Sequence, residues 1–192
     1  FYLVFALIFG VVTPIYEGPD EVGHVLYVKH IAEGLGIPIQ SRAYALSYGF
    51  AQEGSQTPLY YALNALLVRG FRLSWEELDG VPPSNPFSTC GRPTSYNVAR
   101  YRHDPQAETF PYRGAARAVH VMRLFSALLG ATTVVAVYAT AHLAFPRRNE
   151  IALLAAVLVG CNPQMVFMGG MVNNDNLVNT LTAIGIALGT YC

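Results

Sequence analysis

Three carboxylates and an imidazole lie close together near the beginning of the chain, at Glu17, Asp20, Glu21 and His24. Their spacing is i, i+3, i+4 and i+7, so all four would share one face if the segment were helical. Acids and a histidine on one face could act as a general base or bind a divalent metal ion. The plainer interpretation is that Pro19 and the acids only mark the first turn of a helix, where acids suit the helix dipole.

Polar residues also begin two of the apolar stretches further along the chain. Asn173, Asn174 and Asp175 stand at the start of one such stretch. Polar groups at membrane depth are costly and are therefore functional candidates, although Asp175 could simply cap a helix. Arg123 stands near the start of another stretch, where it could bind a phosphate or could snorkel to the lipid headgroups.

Two prolines have both a functional and a structural interpretation. Gln56 and Thr57 precede Pro58 at a switch from polar to apolar sequence, which is also what a simple helix start looks like. Pro163 lies with Asn162 inside an apolar stretch. There it removes one backbone hydrogen bond, which either leaves a carbonyl open to a partner or only kinks the helix.

The composition is that of a membrane protein. Hydrophobic residues make up 53% of the 192 residues and charged residues 12%, against a usual charged share of about 25%. The net charge is zero, which gives no electrostatic reason to expect a nucleic-acid partner. The chain begins and ends inside apolar runs, so we expect it to be a piece of a longer protein. The three cysteines, Cys90, Cys161 and Cys192, have no metal-ligand spacing.

The apolar segments predict an all-α membrane protein, a polytopic helical bundle with a large outer loop. The loop would cover residues 16–118 and carry two juxtamembrane helices. The second of these helices, over about 58–71, has about 14 residues and would extend about 21 Å. This length is too short to cross a hydrocarbon core of about 30 Å. The predicted spans cover about 1–15, 119–145, 151–171 and 177–192, and the juxtamembrane helices about 19–33 and 58–71.

The short turn that contains Arg147 and Arg148 predicts the orientation of the chain. Arginines in a short loop between two spans favour the cytoplasmic side. Residues 17–118 and 169–176 are then expected on the outer side, provided that 58–71 does not cross. This topology would place Asp20 and Asp175 on the same face of the membrane.

The order of these motifs resembles that of the GT-C glycosyltransferases, polytopic enzymes that use polyprenyl-phosphate-linked sugars. The similarity is nearest to bacterial relatives of the protein O-mannosyltransferases and of the aminoarabinose transferases that modify lipid A. The motifs are the acidic pair Asp20-Glu21, Gln56-Thr57-Pro58-Leu59-Tyr60-Tyr61, the R-L-F-S-A-L-L-G run from Arg123, Pro163-Gln164 and Asn173-Asn174-Asp175.

The resemblance implies transfer of a sugar from a polyprenyl-phosphate donor to an acceptor at the outer face of a bacterial plasma membrane, by a multi-pass protein. Asp20 matches the family's catalytic acid, as the base or as a metal ligand, and Glu21 would support it. Asp175 matches a second family acid. A transporter or channel fragment and a non-catalytic membrane subunit are the alternatives.

The remaining roles that the resemblance implies concern binding. A divalent metal, Mg²⁺ or Mn²⁺, would use Asp20, His24 and Asp175. The family often has Lys or His where Gln56 and Thr57 stand here, and this departure puts a charged contact to the donor phosphate at that point in doubt. Arg123 and the loop arginines would hold the phosphate instead. The partners are the lipid-linked donor, membrane lipid and an acceptor that the sequence does not identify. Substrate binding is assigned to Gln56, Tyr60, Tyr61, Arg123, Asn173 and Asn174, and the loop arginines are Arg92, Arg100, Arg102, Arg113 and Arg117.

Overall fold

The computed structural model describes residues 1–73, 81–89 and 99–191. This part of the chain is helical and contains no strand, only one isolated bridge between Ser84 and Tyr101. The prediction of an all-α fold is therefore confirmed. The expectations for Cys90, Arg92 and Cys192 lie outside the described residues. The helices are α1 (Tyr2–Val12), α2 (Glu21–Ala32), α3 (Arg42–Tyr48), α4 (Leu59–Gly70), α5 (Pro105–Glu108), α6 (Gly114–Ala144), α7 (Asn149–Gly160), α8 (Pro163–Gly169) and α9 (Asp175–Tyr191), with a 3₁₀ helix at Ala51–Ser55.

The chain divides into two compact units. One unit, called here the helical unit, combines Phe1–Val12 with Met122–Cys192. The other, called the loop unit, is Thr13–Val121. The loop unit contains α2 to α5 and the 3₁₀ helix, and α6 begins in it. The boundary therefore separates the apolar helices from most of the polar sequence.

Helix α6 is the one described helix that is both long enough and apolar enough to cross a membrane by itself. Its 31 residues extend about 46 Å at 1.5 Å per residue, against a hydrocarbon core of about 30 Å. Helices α7 and α8 pass the same test only when they are taken together as one broken segment.

The segment predicted as one span over residues 151–171 is not one continuous helix. It is divided between α7 and α8, whose axes differ by 63°. Asn162 forms the N-cap of α8, since its side chain accepts a hydrogen bond of 3.1 Å from the backbone N–H of Met165. Pro163 occupies the first helical turn, where its missing N–H costs nothing. A cap followed by a proline therefore begins a new helix inside an apolar run.

In the helical unit, α1 packs closely against the end of α8. A Cβ atom on Gly170 would lie 2.5 Å from the carbonyl oxygen of Ala6 and 2.9 Å from the backbone nitrogen of Gly10. No side chain fits at that distance, so glycine is needed for the two backbones to approach. Close approach at small residues is the usual way in which helices associate in membranes.

In the loop unit, α2 packs against α4 and against the 3₁₀ helix. The rings of Tyr27 and Tyr61 stack with their centroids 3.8 Å apart. A Cβ atom on Gly23 would lie 3.2 Å from Cγ of Glu53 and 3.3 Å from the carbonyl oxygen of Phe50, so this glycine allows the 3₁₀ helix to lie close to α2. Helix α4 has 12 residues, about 18 Å, which is too short to cross a bilayer.

Candidate active site

The four acidic and imidazole residues near the start of the chain do not share a helical face. Helix α2 begins at Glu21, and the Gly18-Pro19-Asp20 segment before it is not helical. The condition for one common face, a helix through Glu17 to His24, is therefore not met. Glu17, Asp20, Glu21 and His24 instead have four different environments.

Asp20 is exposed and stands directly before α2 in the left-handed region, with φ 54° and ψ 9°. This conformation costs roughly 1 kcal/mol for a residue with a side chain. The side chain makes no capping hydrogen bond to the helix. The interpretation of Asp20 as a simple helix cap therefore lacks its defining contact, and the carboxylate is free to face outward.

Glu21 supports the turn that presents Asp20. Its side chain is fully buried, and Oε2 accepts a hydrogen bond of 2.9 Å from the backbone N–H of Tyr16. Tyr16 is also left-handed, with φ 70°. Because the bond joins the two ends of the turn, it stabilises the unusual backbone on both sides of it.

Asp20 and Glu21 line a pocket of about 250 Å³ in the loop unit. Besides these two acids, it is lined by a third acidic residue, an arginine and a tyrosine. A pocket of this size and chemistry could hold one hydroxyl-rich sugar ring. The lining residues are Asp20, Glu21, Val22, Gly23, Gly49, Gln52, Glu53, Arg100 and Tyr101.

Glu53 is a site residue that the sequence analysis did not identify. It lies on the 3₁₀ helix and its side chain is only 3% exposed. Burial raises the pKa of the Glu53 carboxyl, and the charge of Asp20 raises it further. Hydrogen bonds from the Gln52 side chain and from the backbone N–H of Glu53 itself lower this pKa, but the net change is an increase. An acid directly before the polar Gly54-to-Thr57 segment was the available signal, but nothing in the sequence joined it to Asp20.

Glu17 anchors the loop that carries Arg100 and Tyr101 to the pocket. Its Oε1 accepts hydrogen bonds from the backbone N–H groups of Arg100, at 2.7 Å, and Tyr101, at 2.9 Å. Burial raises the pKa of Glu17, but the bonds from Arg100, His103 and Tyr101 outweigh burial and the net pKa is lowered.

His103 links Glu17 to Glu108. Its Nε2 lies 2.9 Å from Oε1 of Glu17, and its Nδ1 lies 2.6 Å from Oε1 of Glu108. Burial lowers the pKa of His103, but the two carboxylates outweigh burial and the net pKa is raised. The other oxygen of Glu108 accepts a bond of 3.2 Å from the backbone N–H of Ile15. This cluster positions one wall of the pocket, and only its Glu17 was a candidate from the sequence.

His24, Gln56 and Tyr61, all predicted site residues, come together in the structure. The Tyr61 hydroxyl donates to Oε1 of Gln56 at 2.9 Å and lies 2.9 Å from Nδ1 of His24. His24, Tyr61 and the neighbouring Tyr60 are all nearly or fully buried. The geometry shows a buried network that joins α2 to α4, and substrate contact by Gln56, Tyr60 and Tyr61 stays a prediction.

The donor set around Asp20 does not fit a metal ion. Nδ1 of His24 is engaged by Tyr61, and the His24 ring is buried while Asp20 is exposed. Across the described residues, no three His, Cys, Asp or Glu side chains stand together in an arrangement that could hold a metal. The predicted Mg²⁺ or Mn²⁺ therefore has no support in the geometry, and the chemistry proposed below is derived without it.

Arg123 lies in the helical unit and does not snorkel. It is 2% exposed, and its Nη1 donates a hydrogen bond of 2.7 Å to the carbonyl oxygen of Gly10. Gly10 stands in the last turn of α1, where helix carbonyls lack partners within the helix. The guanidinium therefore joins α6 to the end of α1, and a contact with the donor phosphate stays a prediction.

The Asn173-Asn174-Asp175 run begins α9. Oδ1 of Asn173 accepts a bond of 2.8 Å from the backbone N–H of Asp175, so Asn173 satisfies the first turn and Asp175 does not act as its cap. Asn173 and Asn174 are buried, whereas Asp175 is exposed. Substrate contact by the two asparagines stays a prediction. Because Asp175 and Asp20 belong to different units, the proximity that a shared site needs also stays a prediction.

The fold and the pocket define a helical protein with a membrane-length helix and a carboxylate-lined site. Residues 107–192 match the family model described as dolichyl-phosphate-mannose-protein mannosyltransferase. The match confirms the resemblance to GT-C membrane glycosyltransferases over this part of the chain. It also supports sugar transfer from a lipid-linked donor at a membrane. No curated protein matches the chain. No solved structure matches it either.

Proposed function

We propose that this chain is a membrane module of a GT-C-type glycosyltransferase that acts at the outer face of a bacterial plasma membrane. Its donor would be a sugar on a polyprenyl phosphate. The enzyme itself would cross the membrane several times. The observation that carries the proposal is that Asp20 lies at the edge of a pocket, with a left-handed backbone and without a capping hydrogen bond from its side chain to α2. The mannosyltransferase match to residues 107–192 supplies the reaction class.

The proposed reaction needs one base and one contact for the leaving phosphate. The acceptor hydroxyl oxygen attacks the anomeric carbon, the bond from that carbon to the phosphate oxygen breaks, and the phosphate leaves with the electron pair. Asp20 takes the proton of the acceptor hydroxyl. Arg100, in the same pocket, is the residue that pairs with the phosphate oxygens, since guanidinium matches them in geometry and charge.

The backbone around Asp20 supports a functional role. Residues in sparsely populated conformations persist only where the surrounding structure determines them, and they cluster at active sites. Here the Glu21 bond to Tyr16 and the Glu17 anchor of the loop provide that support.

Replacement of Asp20 in the full-length enzyme tests the proposal. Asp20→Asn should lower sugar transfer from a polyprenyl-phosphate donor by roughly 100-fold or more, because the amide cannot accept the proton. Transfer is measured with a radiolabelled donor in membranes, and the thermal unfolding temperature should stay near that of the wild type.

Glu33→Gln is the matched control, because Glu33 is an exposed acid at the other end of α2. It should keep wild-type transfer. If Asp20→Asn also kept most of its activity, the assignment of Asp20 as the base would be rejected. If neither the wild type nor any variant transferred sugar, the glycosyltransferase proposal itself would fail.

A further inference from the structure

The most informative group outside the predicted site is the carboxyl of Glu53. It lines the same pocket as Asp20, although it comes from the 3₁₀ helix. Its backbone N–H donates a bond of 2.9 Å to the carbonyl oxygen of Phe50, and its own carbonyl accepts one of 3.0 Å from Gln56. The close approach of Gly23 to Cγ of Glu53 also limits its side chain. The carboxyl is therefore fixed at the wall of the pocket.

Glu53 has weak compensation for a buried negative charge. Its carboxyl accepts one side-chain bond, from Nε2 of Gln52, at a long 3.4 Å, besides a contact with its own backbone N–H. Within the described part of the chain, no lysine, arginine or histidine forms an ion pair with it. Arg100 lines the pocket, but its hydrogen-bonded contact to the acids is through its backbone N–H to Glu17. A carboxylate without a paired cation is costly to bury.

Two other acidic residues, Asp20 and Glu21, line the pocket with Glu53, together with one arginine, Arg100. A neighbouring carboxylate and burial both favour the neutral acid. The elements packed against the 3₁₀ helix are α2 and α3. The titratable or charged groups are Asp20, Glu21, Arg100 and Tyr101 in the pocket, His24, Tyr27, Lys29 and His30 on α2, and Arg42, Tyr44 and Tyr48 on α3.

We propose that Glu53 carries a proton at neutral pH and donates a hydrogen bond to a hydroxyl oxygen of the sugar bound beside Asp20. The identity of that ligand rests on the proposed function. The two carboxyl groups then have different roles because their environments differ: exposed Asp20 accepts a proton, and buried Glu53 stays protonated and donates a hydrogen bond. Such pairs are a general way in which one pocket provides both an acid and a base near pH 7.

Two replacements of Glu53 in the full-length enzyme separate a protonated acid from a carboxylate. Glu53→Gln keeps a neutral hydrogen-bond donor of similar size and should stay within about threefold of wild-type kcat/KM. Glu53→Ala removes the donor and should lower kcat/KM by roughly 10- to 100-fold, mainly through KM. Equal loss in both variants would overturn the proposal, since it would mean that the charged form is needed. Full activity in Glu53→Ala would also overturn it.

The pH profile gives a second comparison. Wild-type transfer should fall as the pH rises through the raised pKa of Glu53, because the carboxylate can no longer donate. Glu53→Gln should lack this alkaline decrease. An unchanged alkaline decrease in Glu53→Gln would contradict the proposal.

An infrared measurement tests the proton without any activity. A protonated carboxyl has a carbonyl band that shifts in D₂O. The band should be present at pH 7 in the wild type and in Asp20→Asn, and absent in Glu53→Gln. Absence from the wild type would overturn the proposal, even if transfer were normal. If the band were present but Asp20→Asn kept its activity, the proton on Glu53 would be established. Only the proposed function would then be rejected.

Discussion

At the residue scale, the acidic pair could be found from the sequence, whereas its partners could not. Asp20 and Glu21 are adjacent, follow an apolar run and match a family motif. Glu53 and Arg100 reach the same pocket from 33 and 80 residues further along the chain, and no local pattern joins such distant positions. The left-handed backbone of Asp20 was also not predictable, because it depends on bonds made by Glu17 and Glu21.

The Glu17–His103–Glu108 cluster predicts a pH window for the stability of the loop unit. The pKa of His103 is raised, so its contribution is fully present below its ordinary value of 6.5 and is lost as the pH rises through the folded pKa. The pKa of Glu17 is lowered, so its contribution is present above its ordinary value of 4.5 and is lost as the pH falls through the folded pKa. The cluster should therefore stabilise most between about pH 4.5 and 6.5.

Thermal unfolding of the purified protein in detergent checks this window. From pH 6 to pH 9 the unfolding temperature of the wild type should fall. The unfolding temperature of His103→Gln should already be lower at pH 6 and should fall less over the same range. His142→Gln, with its substitution near the end of α6, serves as the control and should keep the wild-type pH dependence. Parallel pH curves for the wild type and His103→Gln would show that the imidazolium contributes nothing.

At the scale of elements, the apolar pattern predicted where helices lie better than where they end. Helix α2 begins two residues after the expected start, since the chain must first turn through Gly18-Pro19-Asp20. The expected span over 151–171 is divided because Asn162 and Pro163 form a strong helix start. Hydropathy averaged over a window of residues does not detect a helix start that consists of only two residues. The Gly170 contact with α1 was likewise invisible, because it joins positions about 160 residues apart.

Gly170→Ala should destabilise the helical unit by about 1–3 kcal/mol, because a Cβ atom at this position would overlap the backbone of α1. Gly185→Ala on α9 is the matched control. A Cβ atom there meets nothing within 4 Å, so the change should be neutral or stabilising by up to about 1 kcal/mol. Thermal unfolding in detergent measures both. Equal stability of the two variants would contradict the close packing of α1 on α8.

At the scale of the whole molecule, the proposed reaction depends on which segments face the outer side. Helix α6 is long enough to cross, whereas α4 is not, and α4 packs in the loop unit through Tyr60, Tyr61, Asn64, Ala65 and Val68. A helix of 12 residues that buries one face within the loop unit is not expected to cross the bilayer. The arginine turn at 147–148 then predicts the orientation by the charge rule for short loops.

This topology predicts a labelling pattern for single cysteines in a cysteine-free full-length protein. An impermeant maleimide added to intact cells should label Asp20→Cys and Asp175→Cys, because both residues are exposed and both are expected on the outer side. Asn149→Cys, next to the arginine turn, should be labelled only after the membrane is opened, which makes it the control for leakage. If position 20 were labelled and position 175 were protected, an odd number of crossings would separate them. Asp175 could then have no part in the reaction proposed for Asp20. Helix α4 would be the first candidate for the additional crossing segment.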